Sequence, residues 1–164
     1  MVRAFGPKEL VKHPKNPCFG CGPAHPKGLG LSFLKDGERV IGSLEVTMDL
    51  QGFPDRLHSG MLYAALIDAA KWTVIGLRNR MGVPIRTSAL STRRWGLVGE
   101  RLTLVGRITR SSLRTVTVKC EAGDQNRALV ASLERDFEIL PRQQFMVRLG
   151  YDKLPESLDE LVPP

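Results

Sequence analysis

The chain has 164 residues and a mass of 18.2 kDa, enough for one domain and not for two. Hydrophobic residues make up 42% and charged residues 25%, which supports a packed core and excludes a disordered chain. Lys and Arg number 24 against 17 Asp and Glu, a net charge of +7. Three Cys cannot close a disulfide framework. No basic start runs into an apolar stretch, so no signal peptide is expected. The apolar run at 61–67 is far short of a bilayer span. The expectation is a soluble, cytoplasmic protein with no membrane association.

The elements follow in chain order. Residues 1–28 contain Pro7, Pro14, Pro17, Pro23 and Pro26 and read as an irregular arm. Residues 31–35 and 39–47 read as two strands, with Asp36-Gly37 as a hairpin signal. Residues 49–57 carry Gly52, Pro54 and Asp55 and read as a loop. Residues 58–80 are the long helix, rich in Ala and apolar all round over 61–67, as expected of a helix wrapped on most sides. Gly82 and Pro84 supply a stop. Four strand-like runs follow, at 85–95, 101–109, 113–121 and 127–140. In the last, Leu129, Ala131, Leu133, Phe137 and Ile139 share a face. The pattern implies an α+β domain over 29–140, with an antiparallel sheet packed on one helix. Residues 141–164 read as a tail in which Ser157 and Glu160 cap at most one turn.

The excess charge is localised. Arg86, Arg93, Arg94, Arg101, Arg107, Arg110 and Arg114 fall within 83–114, with Glu100 as the single acid there. Only Trp95 adds an aromatic to that stretch, so nucleic acid is disfavoured as a partner.

Three stretches carry a resemblance. They are Cys18-Phe-Gly-Cys-Gly-Pro-Ala-His-Pro-Lys-Gly-Leu29, then Gln51-Gly-Phe-Pro-Asp-Arg-Leu-His-Ser-Gly60, then the helix through Leu66-Ile-Asp-Ala-Ala-Lys-Trp72 with Val98-Gly-Glu100 in the sheet beyond it. Their order and spacing resemble the hotdog-fold thioesterase superfamily, closest to acyl-CoA thioesterases of the phenylacetate-pathway type. The resemblance implies a curled antiparallel sheet around one central helix. It also implies pairing into a homodimer or homotetramer with joint active sites, an acyl-CoA thioester as substrate, and no cofactor beyond the coenzyme A of the substrate.

It implies roles as well. Thioester hydrolysis builds negative charge on a carbonyl oxygen, and backbone N–H groups at a helix start stabilise it. The resemblance puts that duty on Ser59, with Gly60 beside it. Ser59 also reads as a plain helix N-cap, and His58 as a loop anchor rather than a base. The usual acid comes nine positions after the motif His, and that position is Ile67. Asp68 follows it, rotated by about 100° on a regular helix. Either a one-residue bulge brings Asp68 into the site, or the usual acid is absent and Asp68 is a surface or dimer-contact residue. Asp68 is the catalytic candidate, as base or nucleophile. Gln51 is a candidate for placing water, or else a solvated loop amide. Arg93, Arg94, Arg110 and Arg114 are candidates for the coenzyme A phosphates.

Cys18 and Cys21, with His13 and His25 nearby, also read as a zinc set, but the missing second Cys pair weighs against a metal. A redox pair lacks the strand-to-helix setting of thioredoxin. Cys120 reads as a core thiol. Two rival functions stand beside hydrolysis. One is a catalytically silent acyl-CoA-binding or scaffold protein on the same fold, which Ile67 favours. The other is a hydratase, whose His and acid pair near the helix start is not found here.

Overall fold

A computed structural model describes residues 6–164, so the first five residues of the expected arm lie outside the described residues. The elements are β1 (Lys8–Glu9), β2 (Phe33–Asp36), β3 (Arg39–Glu45), a 3-10 turn at Met48–Leu50, α1 (Ser59–Arg78), β4 (Val83–Thr87), β5 (Ser91–Thr92), β6 (Arg101–Ser111), β7 (Thr115–Gly123), β8 (Leu129–Glu138), α2 (Arg142–Leu149) and α3 (Glu156–Asp159). Among the described residues the strands form one sheet in the order β1-β2-β3-β6-β7-β8-β4, and β5 also pairs with β8. Every pairing is antiparallel.

Helix α1 lies against this sheet. By length and composition it matches a bilayer span, but Leu62, Ala65, Leu66, Ala69, Ala70, Trp72, Val74 and Ile75 are all buried in the fold. Two devices let the helix sit close. Gly106 on β6 faces Thr73, and a Cβ built there would lie 1.9 Å from Thr73 Oγ1. The Thr73 hydroxyl is satisfied within the helix, donating to the Ala69 carbonyl at 2.7 Å. Phe33 on β2 stacks on Trp72, with ring centroids 5.9 Å apart.

The structure moves several expected boundaries. The helix ends at Arg78 because Asn79 takes the left-handed region at φ 53° and closes the last turn onto the Ile75 carbonyl. Gly82 is not the stop. Residues 59–78 are α-helical without interruption, so no bulge rotates Asp68 toward the position of Ile67. The expected strand at 85–95 is broken into β4 and β5. Thr87 pairs with Arg135 and Ser91 with Ser132, so four steps on one strand face three on the other. Ser88 fills the gap, its Oγ accepting from the Glu134 N–H at 2.9 Å.

On β8, Ala131, Leu133 and Phe137 are buried as expected, but Leu129 is 38% exposed. A register shift between Ala122 and Gly123 turns Leu129 outward, and Val130 is buried in its stead. The C-terminal stretch is more ordered than a tail. Helix α2 places Phe145 in a second small core with Val83, Leu154 and Val162. Helix α3 is a single turn whose N-cap is Pro155, with no side-chain cap.

Candidate functional site

The loop before α1 builds the first half of the site. Its backbone is held by His58 N–H to the Leu50 carbonyl at 2.8 Å and Leu57 N–H to the Gly96 carbonyl at 2.9 Å. His58 is the helix N-cap, with φ −63° and ψ 128°, and its Nδ1 accepts from the Gly60 N–H at 2.9 Å. That bond places the ring proton on Nε2. Ser59 is therefore the first helical residue and not the cap. Glycine at 60 leaves room for the imidazole, since a Cβ there would meet His58 Nδ1 at 3.0 Å. Gly52 makes room on the other side of the ring.

The two N–H groups expected to act as oxyanion donors differ in state. The Gly60 N–H is taken by His58. The Ser59 N–H donates to no group among the described residues. It points from the positive end of a 20-residue helix. Around it Gly52, Phe53, Leu57, His58, Ser59 and Trp95 line a pocket of about 260 Å³. Phe53 and Trp95 meet edge to face at 5.7 Å. The sequence pattern gave Phe53 no role, and it marked Trp95 only as the lone aromatic among the arginines of 83–114. Their signal was present as large aromatics in loops, 65% and 48% exposed. Gln51 is exposed, its side-chain oxygen accepting from the Asp55 N–H at 3.3 Å, so it braces the loop turn.

Asp68 lies elsewhere. It lies nine helical steps beyond Ser59, about 13 Å along the axis. It is buried, and Lys71 Nζ binds its Oδ1 at 2.5 Å. The N-terminal arm covers it. Gly20 packs so closely that a Cβ would lie 2.5 Å from Asp68 Oδ2. Cys18 Sγ lies 3.6 Å from Oδ1. Ile67 and Asp68 both line a small cavity of about 150 Å³, together with Lys71, Arg135, Phe137 and Phe145. Apart from those three charged groups its walls are mostly apolar.

The three groups with metal-ligand character, Cys18 Sγ, Cys21 Sγ and an Asp68 oxygen, lie within 4.8 Å of one another. Lys71 Nζ sits among them, 3.3 Å from Cys18 Sγ and 3.5 Å from Cys21 Sγ. The cationic position of this cradle is filled by an ammonium. His13 turns to Glu156 and His25 packs on Phe19, so neither joins the set. Cys120 is fully buried, and burial pushes its thiol pKa up.

The arginines do not gather. Arg94 is held by Glu100 at 3.0 Å and Asp124 at 2.8 Å, and its charge is spent on them. Hydrogen bonds from Arg94 hold both carboxyls below their ordinary values. Arg110 faces Glu134 at 3.9 Å. Arg93 and Arg114 make no salt bridge among the described residues. Arg93 follows β5 and donates its N–H to the Val130 carbonyl at the start of β8, whereas Arg114 sits beyond the other end of β8, its carbonyl accepting from the Ile139 N–H, and lines a groove with Arg78 and Arg80. The four candidates therefore cannot form one phosphate site within a single chain.

No protein-family model matches the chain, and no curated protein matches it. Solved structures do. A thioesterase superfamily protein superposes with a TM-score of 0.68 at 19% identity, over 75% of this chain and 60% of that one. The chain has the hotdog fold. The E. coli PaaI protein from the phenylacetic acid degradation operon matches with a TM-score of 0.62 at 18% identity, over 71% of this chain and 84% of its own. A Streptococcus mutans UA159 protein bound to acetyl CoA matches at 0.61 and 17%, over 67% of this chain and 88% of its own. The curled sheet around one helix expected from the sequence is thus the architecture these proteins share. The chain spans only 60% of the length of the first of them.

Proposed function

We propose that the chain is a hotdog acyl-CoA thioester hydrolase, with the Ser59 N–H as the oxyanion donor. The observation that carries this reading is the unengaged N–H at the start of α1, set in a pocket walled by Phe53 and Trp95. The acetyl CoA held by the Streptococcus mutans structure supports the choice of ligand.

Ser59 and Asp68 of one chain are about 13 Å apart along the helix and cannot touch one carbonyl. The proposed site therefore takes Ser59 from one copy and Asp68 from a second, in a homodimer or larger even assembly. Strand β4 ends the sheet and leaves Ile85 exposed, an edge suited to that pairing. Asp68 needs no bulge for this, because on the regular helix it lines the same cavity as Ile67. In this scheme it accepts a proton from water, and the resulting hydroxide attacks the thioester carbon. The oxyanion is held by the Ser59 N–H until coenzyme A leaves as the thiol, taking back the proton. The cavity of about 150 Å³ beside Ile67 suits an acyl group no larger than a benzene ring. Arg93 and Arg114 are the arginines left for the coenzyme A phosphates. The reaction needs no cofactor and is assigned to the cytoplasm.

A second reading rests on Asp68 itself. Its oxygens are engaged by Lys71 and covered by Gly20, and Ile67 is apolar, which favours a silent acyl-CoA binder. Thiol release from a panel of short, aromatic and long acyl-CoAs separates the two. Hydrolysis of short or aromatic substrates, lost by at least about 10²-fold in the isosteric Asp68→Asn, is the expected result. Coenzyme A binding without release from any substrate replaces the hydrolase by the binder. Full turnover in Asp68→Asn removes Asp68 from the mechanism.

A further inference from the structure

The cluster under the N-terminal arm includes Asp68, but its two thiols have no part in the proposed hydrolysis. We infer that Cys18 and Cys21 form an oxidisable dithiol, with Cys18 as the nucleophile toward hydroperoxides and Cys21 as its resolving thiol.

The geometry supplies what such a pair needs. The two sulfurs lie within 4.8 Å, on a turn closed by the Gly22 N–H to the Cys18 carbonyl at 2.7 Å. Lys71 Nζ reaches both sulfurs and Asp68 from below, so one ammonium offers its protons to three acceptors. Donation to two sulfurs at once favours a thiolate at one of them. Cys18 is the partly exposed member, and Cys21 is fully buried. Cys18 is therefore the one a reagent reaches.

The groups facing Cys18 are Cys21, Lys71 and Asp68. Hydrogen bonding from the Cys21 thiol holds the Cys18 pKa below the ordinary thiol value, and Lys71 acts in the same direction. Burial and the Asp68 carboxylate oppose them. The same hydrogen bond, together with burial, pushes the Cys21 thiol up and keeps it protonated. Asn16 Nδ2 donates weakly to Cys21 Sγ at 3.7 Å. Lys71 already occupies the place of a cation, so this donor set is a thiolate–ammonium pair and not an open metal site.

The chemistry balances. The Cys18 thiolate attacks a hydroperoxide oxygen, forming an S–O bond and breaking O–O. The alkoxide or hydroxide leaves and takes a proton from water, and Cys18 becomes a sulfenic acid. The Cys21 sulfur then attacks Cys18 Sγ, forming S–S and breaking S–O. Water leaves with the proton of Cys21. Two electrons pass from the dithiol to the peroxide.

The test uses the full-length reduced protein. Alkylation by iodoacetamide is followed by peptide mass spectrometry against pH. Cys18 is expected to keep its rate within about twofold between pH 8 and pH 6, where an ordinary thiol of pKa about 8.5 falls by more than about tenfold. Lys71→Met should restore the steep profile. Hydrogen peroxide should then give a chain two hydrogens lighter, with the Cys18 and Cys21 peptides joined and Cys120 free. In Cys21→Ser a dimedone-type trap should label Cys18 instead, a readout that stands even where Lys71→Met fails to fold. An ordinary-thiol profile at Cys18 overturns the inference. So does peroxide treatment that yields only chain-to-chain disulfides, or purified protein holding one equivalent of zinc that blocks alkylation until chelation.

Discussion

Ser59→Pro isolates one hydrogen atom. Proline removes the N–H and otherwise suits this position. Ser59 is the first residue of α1, where proline is well tolerated. His58, at φ −63° and ψ 128°, already has the extended backbone that a following proline requires. No hydrogen bond is lost, because the Ser59 N–H has no acceptor among the described residues. Stability should stay within about 1 kcal/mol of the parent, a shift of no more than about 4 °C in melting. The effect on chemistry should be much larger. Loss of one oxyanion donor costs about 10²–10³ in kcat, or about 3–4 kcal/mol of barrier. Ser59→Ala keeps the N–H and should keep turnover, which separates the backbone donor from the hydroxyl. The assay is thiol release at saturating acyl-CoA, with a circular dichroism melt of each variant. A folded Ser59→Pro whose kcat stays within about threefold of the parent would refute the oxyanion assignment, since no preorganised donor is worth so little.

Two further outcomes test the frame around the site. Gly106→Ala drives a Cβ to 1.9 Å from Thr73 Oγ1 and should destabilise the fold by about 1–3 kcal/mol. Thr73→Ala in the same chain should recover part of that loss, read as a non-additive pair in urea unfolding. Arg94→Gln tests the clamp on Glu100 and Asp124, whose folded pKa values lie below the ordinary 4.5 and 3.8. A carboxyl lowered in the fold adds stability above its ordinary pKa and loses it as pH falls through the folded one. The variant should thus be weaker at neutral pH. Its urea midpoint should fall less than the parent's between about pH 5 and pH 2. Equal acid slopes in the two proteins would show that the clamp contributes nothing.

Much of the fold was legible because it rests on local pattern. The alternation at Val40, Gly42 and Leu44, the apolar helix at 59–78 and the paired runs after it each repeat at the period of their element. Where boundaries moved, a single residue's conformation or a register shift was responsible, as at Asn79 and at the bulge around Ser88. Helix α2 escaped notice because its burial depends on one residue, Phe145, closing a second core against Val83.

The sequence by itself determined the class of fold, the helix that organises it and the loop that starts that helix. Those follow from periodicity and turn chemistry, which are properties of neighbouring residues. Only the tertiary structure decided what each candidate touches. It gave the Gly60 N–H to His58 and left the Ser59 N–H open among the described residues, and it tied Arg94 to Glu100 and Asp124. It also brought Cys18 and Cys21 onto Lys71 and Asp68, some 50 positions along the chain. A charge or a thiol has no fixed role in sequence. Its chemistry is set by the groups within a few ångströms, and the folded chain chooses those.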